Sequence, residues 1–258
     1  MVSGAIVDLD GTVYRGDDLV PGAAAGVDAL REHGCRLCFF SNNPTKDGAT
    51  YVERLRELGV DAREGEACSA GVATANYLAD HHAEEPVLLV GDEGLAEQLR
   101  AADIRLTDDP AEASVLLGSW TNDFDYYDMM DAMDAVEDDT VFLGSDPDRA
   151  IPYDDGRLVP GSGAIVGALA RTVGREPDRI LGKPSDVARD LALDRLDVPA
   201  EDCLVVGDRL DTDLLLGERA GMTTVLVLSG VTDRTDIADS EVDPDYVLET
   251  MGEMAQIL

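Results

Sequence analysis

A regular alternation of short apolar runs with longer, helix-length stretches constrains the fold of this chain more than any other feature. The runs Ala5–Leu9, Arg36–Phe40 and Cys203–Val206 are rich in strand-forming residues, and stretches such as Asp186–Leu196 have the length and periodicity of a helix. Strands that alternate with helices pair in parallel, because each helix carries the chain back to the start of the next strand. The sequence therefore predicts an α/β fold with a doubly wound, Rossmann-like parallel sheet.

Four apolar runs end in polar segments, which read "IVDLDGT", "FFSNNPT", "ILGKPS" and "LVVGDRLDTD". Ligands bind at the carboxyl ends of the strands in open α/β sheets, so we expect these four segments to converge. They lie before residue 46 or from residue 180 onward, and the middle of the chain lacks such a set. We therefore predict a core domain formed by residues 1–75 and 180–258, with an inserted domain at residues 76–179.

Acidic residues follow two of these apolar runs. Asp8 and Asp10 stand two positions apart, and residues at that spacing share one face of a strand, so their carboxylates would lie side by side. Solvated acids at a strand end are one interpretation; the other is a bound cation, because a buried carboxylate without a partner is costly. Asp208, Asp211 and Asp213 follow the second run. Carboxylates without histidine or cysteine suit Mg²⁺, although one of these acids could simply cap a helix.

Lysine is nearly absent from this chain, which makes its position informative. It occurs only at Lys46 and Lys183, and the second lies between a glycine and a proline in "GKP". Such a fixed point charge favours the binding of an anion. Ser41 and Asn42 follow another apolar run. Their side chains and backbone N–H groups could hold phosphate oxygens, although this segment alone would be interpreted as a turn.

The charge of the chain limits its partners. Its 20 basic and 54 acidic residues give a formal net charge of −34. Such a surface lacks the basic footprint that nucleic acids need, and it is typical of halophile proteins, in which salt screens the self-repulsion. No apolar run approaches the length of a membrane span, and no leader-like segment begins the chain. We expect the four cysteines to be core thiols and the protein to be cytoplasmic, without nucleic-acid or membrane partners.

Taken in order, "DLDGT", "FFSNN", "GKP" and "GDRLDTD" resemble the four motifs of the haloacid dehalogenase superfamily. The segments "PVLLVGDEGL" and "VLVLSGV" and the central insert resemble the NagD-type, para-nitrophenylphosphatase-like group, which carries a large α/β cap between its second and third motifs. The resemblance implies a Mg²⁺-dependent phosphatase that acts on small phosphorylated metabolites through an aspartyl-phosphate intermediate. It also implies that the insert is the cap that selects the substrate, and caps of this type often support homo-oligomers.

The resemblance also implies roles for individual residues. Asp8 would be the nucleophile, and Asp10 would protonate the leaving alcohol and then activate water. Ser41 would bind the phosphoryl group, with the Asn42 backbone assisting. Lys183 would neutralise both the nucleophile and the phosphate.

The same resemblance implies a metal site. Asp208 would bind Mg²⁺ together with the Asp8 carboxylate and the Asp10 main-chain carbonyl, and Asp213 would support the site. An acid at position 10 favours a phosphatase over a dehalogenase, which has no alkoxide leaving group to protonate.

Three segments depart from the usual pattern of the group. Ser41 replaces a threonine, Ser145 and Asp146 replace a Thr-Asn pair, and Trp120 departs from a Gly-x-Asp pattern. These departures leave the chemistry unchanged and leave the substrate open among sugar phosphates, nucleotides and similar metabolites. A non-catalytic phosphometabolite-binding protein on the same fold and a phosphotransferase are the alternatives.

Overall fold

A computed structural model describes residues 2–152 and 157–258 and divides the chain into two compact units. The first unit comprises Met1–Ser41, Gly48–Cys68 and Lys183–Leu258, and the second comprises Asn42–Asp47 and Ser69–Gly182. The predicted insert, 76–179, lies within the second unit, which begins earlier and ends slightly later along the chain. Residues 153–156 of that predicted insert lie outside the described residues.

The strands have the following bounds in chain order: β1 (Gly4–Asp8), β2 (Tyr14–Arg15), β3 (Asp18–Leu19), β4 (Arg36–Ser41), β5 (Ala67–Ser69), β6 (Val87–Val90), β7 (Val115–Gly118), β8 (Val141–Gly144), β9 (Ala150–Pro152), β10 (Leu158–Pro160), β11 (Arg179–Ile180), β12 (Cys203–Gly207), β13 (Thr223–Val227) and β14 (Tyr246–Leu248).

The α-helices have the following bounds: α1 (Ala23–Glu32), α2 (Gly48–Glu57), α3 (Ala70–His81), α4 (Glu93–Ala101), α5 (Tyr126–Ala135), α6 (Ser162–Val173), α7 (Asp186–Leu196), α8 (Leu215–Ala220) and α9 (Arg234–Asp239). A π-helical turn at Leu210–Leu214 precedes α8, and short 3₁₀ helices lie at Pro110–Glu112, Ala200–Asp202 and Met251–Gln256.

The first unit is built on a sheet with the strand order β14-β13-β12-β1-β4-β5. Strand β1 pairs in parallel with β12 on one side and β4 on the other. All five of its residues are buried, as expected for a central parallel strand with both faces covered. The prediction of a parallel α/β core is confirmed. Because β1 lies between β4 and β12, the carboxyl ends of these three strands are next to one another.

The second unit has its own parallel sheet, in the order β11-β8-β7-β6. Its core includes Leu116, Phe142 and Leu169. A small antiparallel pair, β9 with β10, accompanies the sheet. The second unit is therefore an α/β domain in its own right, with a core separate from that of the first.

Two local features differ from the sequence-based prediction. The sequence pattern predicts a helix over 211–220, but this segment begins as the π-helical turn, and α8 starts only at Leu215. The strand expected to run through Leu9 ends at Asp8, because the chain turns there: the N–H groups of Thr12 and Val13 donate to the Leu9 carbonyl oxygen. Asp10 therefore lies in a turn and is not the next inward-facing position of the strand.

The four cysteines are free and buried, which confirms that they are core thiols. Among the residues described, no helix combines the length and apolar character needed to cross a membrane.

Candidate active site

Asp8 is the last residue of β1 and is almost fully buried. One of its carboxylate oxygens, Oδ2, accepts a hydrogen bond from the Thr12 hydroxyl at 3.1 Å. The intervening turn depends on Gly11, whose φ of 90° lies in the left-handed region and whose position leaves no room for a Cβ beside Asp208. The "DGT" sequence thus turns the chain sharply and returns a hydroxyl to the carboxylate that precedes it.

Lys183 places a positive charge inside the first unit, with only 1% of its surface exposed. Its Nζ donates to Asp8 Oδ1 at 2.7 Å, to Asp213 Oδ1 at 2.6 Å and to the Phe40 carbonyl oxygen at 2.8 Å. Burial alone would lower the pKa of the lysine, but the Asp213 and Asp8 carboxylates raise it above its ordinary value. The ammonium group is therefore charged and fixed by three acceptors.

Asp208 follows β12 and is also buried. Its Oδ2 accepts the Val231 N–H at 2.7 Å, and a Cβ at Gly230 would overlap the carboxylate. Its Oδ1 is buried without a hydrogen-bond partner. Burial, followed by the nearby Asp8 and Asp213 charges, raises the pKa of Asp208 well above its usual range.

Asp213 reaches the same place from the π-helical turn. Its Oδ2 accepts the Arg209 N–H at 3.3 Å while its Oδ1 binds Lys183. π-Helical turns are uncommon and recur at functional sites. Asp211, the other acid of this segment, is exposed to solvent.

Ligand oxygens of Asp8, Asp208 and Asp213 all lie within 4.8 Å of one another. Three carboxylates facing one ammonium leave two negative charges uncompensated, which is unfavourable in a buried setting. A divalent cation would compensate them and would bind the unpartnered Asp208 oxygen. An all-oxygen set of this kind suits Mg²⁺, so the residues present fit that ion.

Asp10 is not one of the three acids whose ligand oxygens lie together. It is partly buried, and Gly11 N–H donates to the Tyr14 carbonyl oxygen at 2.8 Å in the same turn. Two buried tyrosines interact electrostatically with Asp10. Burial is the main cause that raises the pKa of Tyr14 and of Tyr51, and the charge of Asp10 is the second. Because the strand ends at Asp8 and Asp10 follows in the turn, strand alternation does not set the relative position of the two carboxylates of "DLD".

The structure assigns Ser41 and Asn42 to different units. Ser41 ends β4 in the first unit, where its Oγ accepts the Tyr51 hydroxyl at 3.2 Å. Asn42 begins the short segment of the second unit, and its side-chain amide donates to Asp148 Oδ1 at 3.4 Å. The role that the resemblance implies belongs to the backbone of Asn42, which directly follows Ser41, and not to this side chain.

Three residues of the site were missed by sequence reasoning. Thr12 could have been recognised, because a hydroxyl two residues beyond the Asp10 turn can fold back to Asp8. Tyr51 gives no local signal: it is one of several apolar positions on α2 that face the core. Val231 contributes only its backbone N–H, which the sequence cannot assign to a partner.

Comparison with known proteins agrees with this geometry. Residues 5–105 match a family described as haloacid dehalogenase-like hydrolase, and residues 180–254 match one described as HAD-hydrolase-like. The chain is 35% identical to an acid sugar phosphatase of Staphylococcus haemolyticus, over 96% of this chain and 94% of the relative. It is 28% identical to the sugar-phosphatase AraL of Bacillus subtilis, over 99% and 93%.

Solved structures that are similar to this chain also include a phosphatase of this kind. A p-nitrophenyl phosphatase from Archaeoglobus fulgidus superposes with a TM-score of 0.91 at 37% identity, covering 100% of this chain and 99% of the other. NagD from E. coli K-12 superposes with a TM-score of 0.86 at 27% identity, covering 98% of each chain.

The chain belongs to the haloacid dehalogenase-like hydrolase family. Within that family it is similar to NagD and the p-nitrophenyl phosphatases along almost its whole length. The predictions of the family, of the NagD-type group and of a phosphomonoesterase-type hydrolase are confirmed by these relatives.

Proposed function

We propose that this chain is a Mg²⁺-dependent phosphatase that hydrolyses small phosphomonoesters through a phosphorylated Asp8. The observation that carries the proposal is the pairing of Asp8 with the buried Lys183 at 2.7 Å, beside the unpartnered oxygen of Asp208. A carboxylate held next to a fixed cation can accept a dianionic phosphate that it would otherwise repel.

The reaction would proceed in two displacements. An Asp8 oxygen attacks phosphorus, the bond from phosphorus to the ester oxygen breaks, and the Asp10 carboxyl gives its proton to the leaving alcohol. Asp10 then takes a proton from water, and the water oxygen attacks phosphorus and releases phosphate from Asp8. Asp10 would be protonated in the first displacement and ionised in the second, as a residue that acts first as an acid and then as a base must be.

The remaining residues would bind and orient the substrate. Lys183 would compensate charge on the phosphoryl oxygens, and the Ser41 hydroxyl and the Asn42 N–H would donate to them. Asp8, Asp208 and the Asp10 carbonyl oxygen would hold Mg²⁺, with Asp213 supporting the site through Lys183. The ion supplies charge neutralisation between an anionic nucleophile and an anionic phosphate.

Sugar phosphates are the substrate class that we favour, because an acid sugar phosphatase and AraL are similar along almost all of this chain. We propose that the second unit is the cap that selects among such substrates and that it supports a homo-oligomer. A cytoplasmic location, a halophilic source and the lack of nucleic-acid or membrane partners stay predictions.

The decisive experiment measures p-nitrophenyl phosphate hydrolysis by the full chain with Mg²⁺, with EDTA, and after Mg²⁺ is restored. We expect activity that EDTA abolishes and Mg²⁺ recovers. Acid quenching during turnover, followed by borohydride reduction, would convert an acyl phosphate at position 8 to homoserine, which peptide mass spectrometry detects. Active enzyme without this product would contradict the covalent route, and full activity in EDTA would contradict the metal requirement.

The substrate class is tested separately with a panel of sugar phosphates, nucleotides and other phosphomonoesters under the same conditions. We expect the highest kcat/KM for a sugar phosphate. A nucleotide or another metabolite at the top of the panel would contradict the substrate assignment and leave the chemistry intact.

A further inference from the structure

Tyr51 is a buried tyrosine whose hydroxyl is directed at the proposed phosphate site. Its ring lies on the inward face of α2 within the core of the first unit, and 1% of the residue is exposed. The phenolic hydroxyl donates to Ser41 Oγ at 3.2 Å. A ring fixed by core packing therefore holds its hydroxyl at a defined point beside the end of β4.

Serine at position 41 needs such a partner more than threonine would. A serine side chain can occupy three staggered χ1 wells, whereas the β-methyl of threonine restricts that rotation. The hydroxyl hydrogen also rotates freely until one lone pair of the oxygen is occupied. A donor that occupies a lone pair of Ser41 Oγ directs the Ser41 proton away from that donor and toward an acceptor on another side of the oxygen.

The surroundings of Tyr51 keep it a donor. Burial raises the pKa of its phenol above the ordinary value, and the Asp10 charge raises it further. The phenol therefore stays protonated throughout the pH range in which a phosphatase is assayed.

We propose that Tyr51 is a positioning residue: by donating to Ser41 Oγ, it fixes the serine rotamer and directs the Ser41 proton at the phosphoryl group of the substrate. This inference rests on the phosphate-binding role given to Ser41 in the proposed function. Tyr51 itself touches neither the substrate nor the reacting atoms in this scheme.

A double-mutant cycle tests the inference. Tyr51→Phe removes only the hydroxyl and keeps the ring that packs in the core. We expect it to lower kcat/KM for p-nitrophenyl phosphate by about three- to tenfold, the worth of one hydrogen bond, and to weaken inhibition by inorganic phosphate by a similar factor. In a Ser41→Ala background, Tyr51→Phe should cause no further loss, because the oxygen it orients is gone.

The effect of Tyr51→Phe can also be measured in a Ser41→Thr variant. With Ser41→Thr, the β-methyl restricts the rotamer without help, so Tyr51→Phe should cost clearly less than it does beside serine. A merely structural role for Tyr51 would give equal losses in all three backgrounds.

Tyr14→Phe is the matched control. Tyr14 is equally buried and also feels Asp10, and its ring lies under Arg54, 4.6 Å from the guanidinium carbon. Within the part of the chain that is described, its hydroxyl makes no hydrogen bond to Ser41. Whatever Tyr14→Phe does to activity, we expect it to be additive with Ser41→Ala.

The outcomes separate this inference from the proposed function. Equal losses from Tyr51→Phe with and without the Ser41 hydroxyl would overturn the positioning role, as would wild-type activity of Tyr51→Phe beside an impaired Ser41→Ala. A fully active Ser41→Ala variant would instead overturn the phosphate-binding role of Ser41, and the inference about Tyr51 with it.

Discussion

Both units bury aspartates at or just beyond the carboxyl ends of parallel strands. The two units differ in the groups that bind these carboxylates. In the first unit, Asp8 and Asp213 share the buried ammonium of Lys183, and Asp208 keeps an unpartnered oxygen. In the second unit, Asp146 follows β8 and is equally buried. Its carboxylate accepts hydrogen bonds from the Ser145 hydroxyl at 2.9 Å and from the Asp148 N–H at 3.1 Å.

The two clusters also differ in the pKa of their buried aspartates. Burial, and then the neighbouring Asp148 charge, raise the pKa of Asp146 to about 8, and the serine hydroxyls around it only partly oppose this. Asp146 is therefore mostly neutral near pH 7, whereas Asp8 and Asp213 share the buried ammonium group of Lys183. A buried aspartate alone does not mark an active site; a fixed cation and an unsatisfied oxygen beside it do.

Removal of the charge of Asp8 should have the most severe consequence for activity. Asp8→Asn should lower kcat for p-nitrophenyl phosphate by about 10³-fold or more, because an amide is a far weaker nucleophile. Asp146→Asn is the matched control, since it makes the same change at a buried aspartate outside the catalytic scheme, and it should keep most of the turnover. Wild-type turnover in Asp8→Asn would show that the nucleophile is wrongly assigned.

Removal of the buried cation should have the next largest effect. Lys183→Met leaves Asp8 and Asp213 buried without their common partner, so we expect the free energy of unfolding to fall by about 3–5 kcal/mol. Urea denaturation of the full chain at pH 7, followed by circular dichroism, measures the loss. A loss below about 1 kcal/mol, the size expected of a surface ion pair, would mean that the pair is effectively solvated.

The residues that meet in the first cluster could be predicted from the sequence because they carry local signals. Asp8 and Asp208 each end an apolar run, and Lys183 is one of only two lysines in the chain. A parallel sheet then brings strand ends together whatever lies between them in sequence. The bounds of β1 and β12 could be predicted to within a residue because each strand coincides with an apolar run.

Contacts that depend on side-chain direction could not be predicted. Strand alternation placed Asp8 and Asp10 together, but the turn that begins at Leu9 overrides that periodicity. Tyr51 looks like any other core position of α2, since the sequence gives no sign that its hydroxyl meets Ser41. The buried state of Asp146 was equally hidden, because aspartates are common throughout this chain and most of them are solvated.

A third prediction concerns the pH dependence of stability in the second unit. The folded-state pKa of Asp146, about 8, lies above the unfolded value of about 4. The folded state therefore binds more protons between these values, and the contribution of Asp146 to stability is lost as the pH rises from about 4 to about 8. We expect the fall to be at most a few kcal/mol and to be largely absent in Asp146→Asn.

Thermal melts of the wild type and of Asp146→Asn between pH 5 and pH 8 measure this difference. Asp131→Asn is the control, since it removes one carboxylate from an exposed position of α5. Its melting temperatures should run parallel to those of the wild type. Parallel curves for Asp146→Asn as well would contradict a neutral, buried Asp146.

The smallest effect is expected for an ion pair of similar geometry on the surface. Arg36 Nη1 lies 2.9 Å from Asp197 Oδ2, close to the Lys183 distances, but the two side chains are 54% and 83% exposed. Arg36→Met should therefore cost only about 0–1 kcal/mol, and the cost should disappear in 1 M NaCl, where the screening length is about 3 Å. The loss from Lys183→Met should persist at that salt concentration, because solvent ions do not reach a buried pair. If salt erased both losses, the contrast between a solvated ion pair and a buried one would not hold.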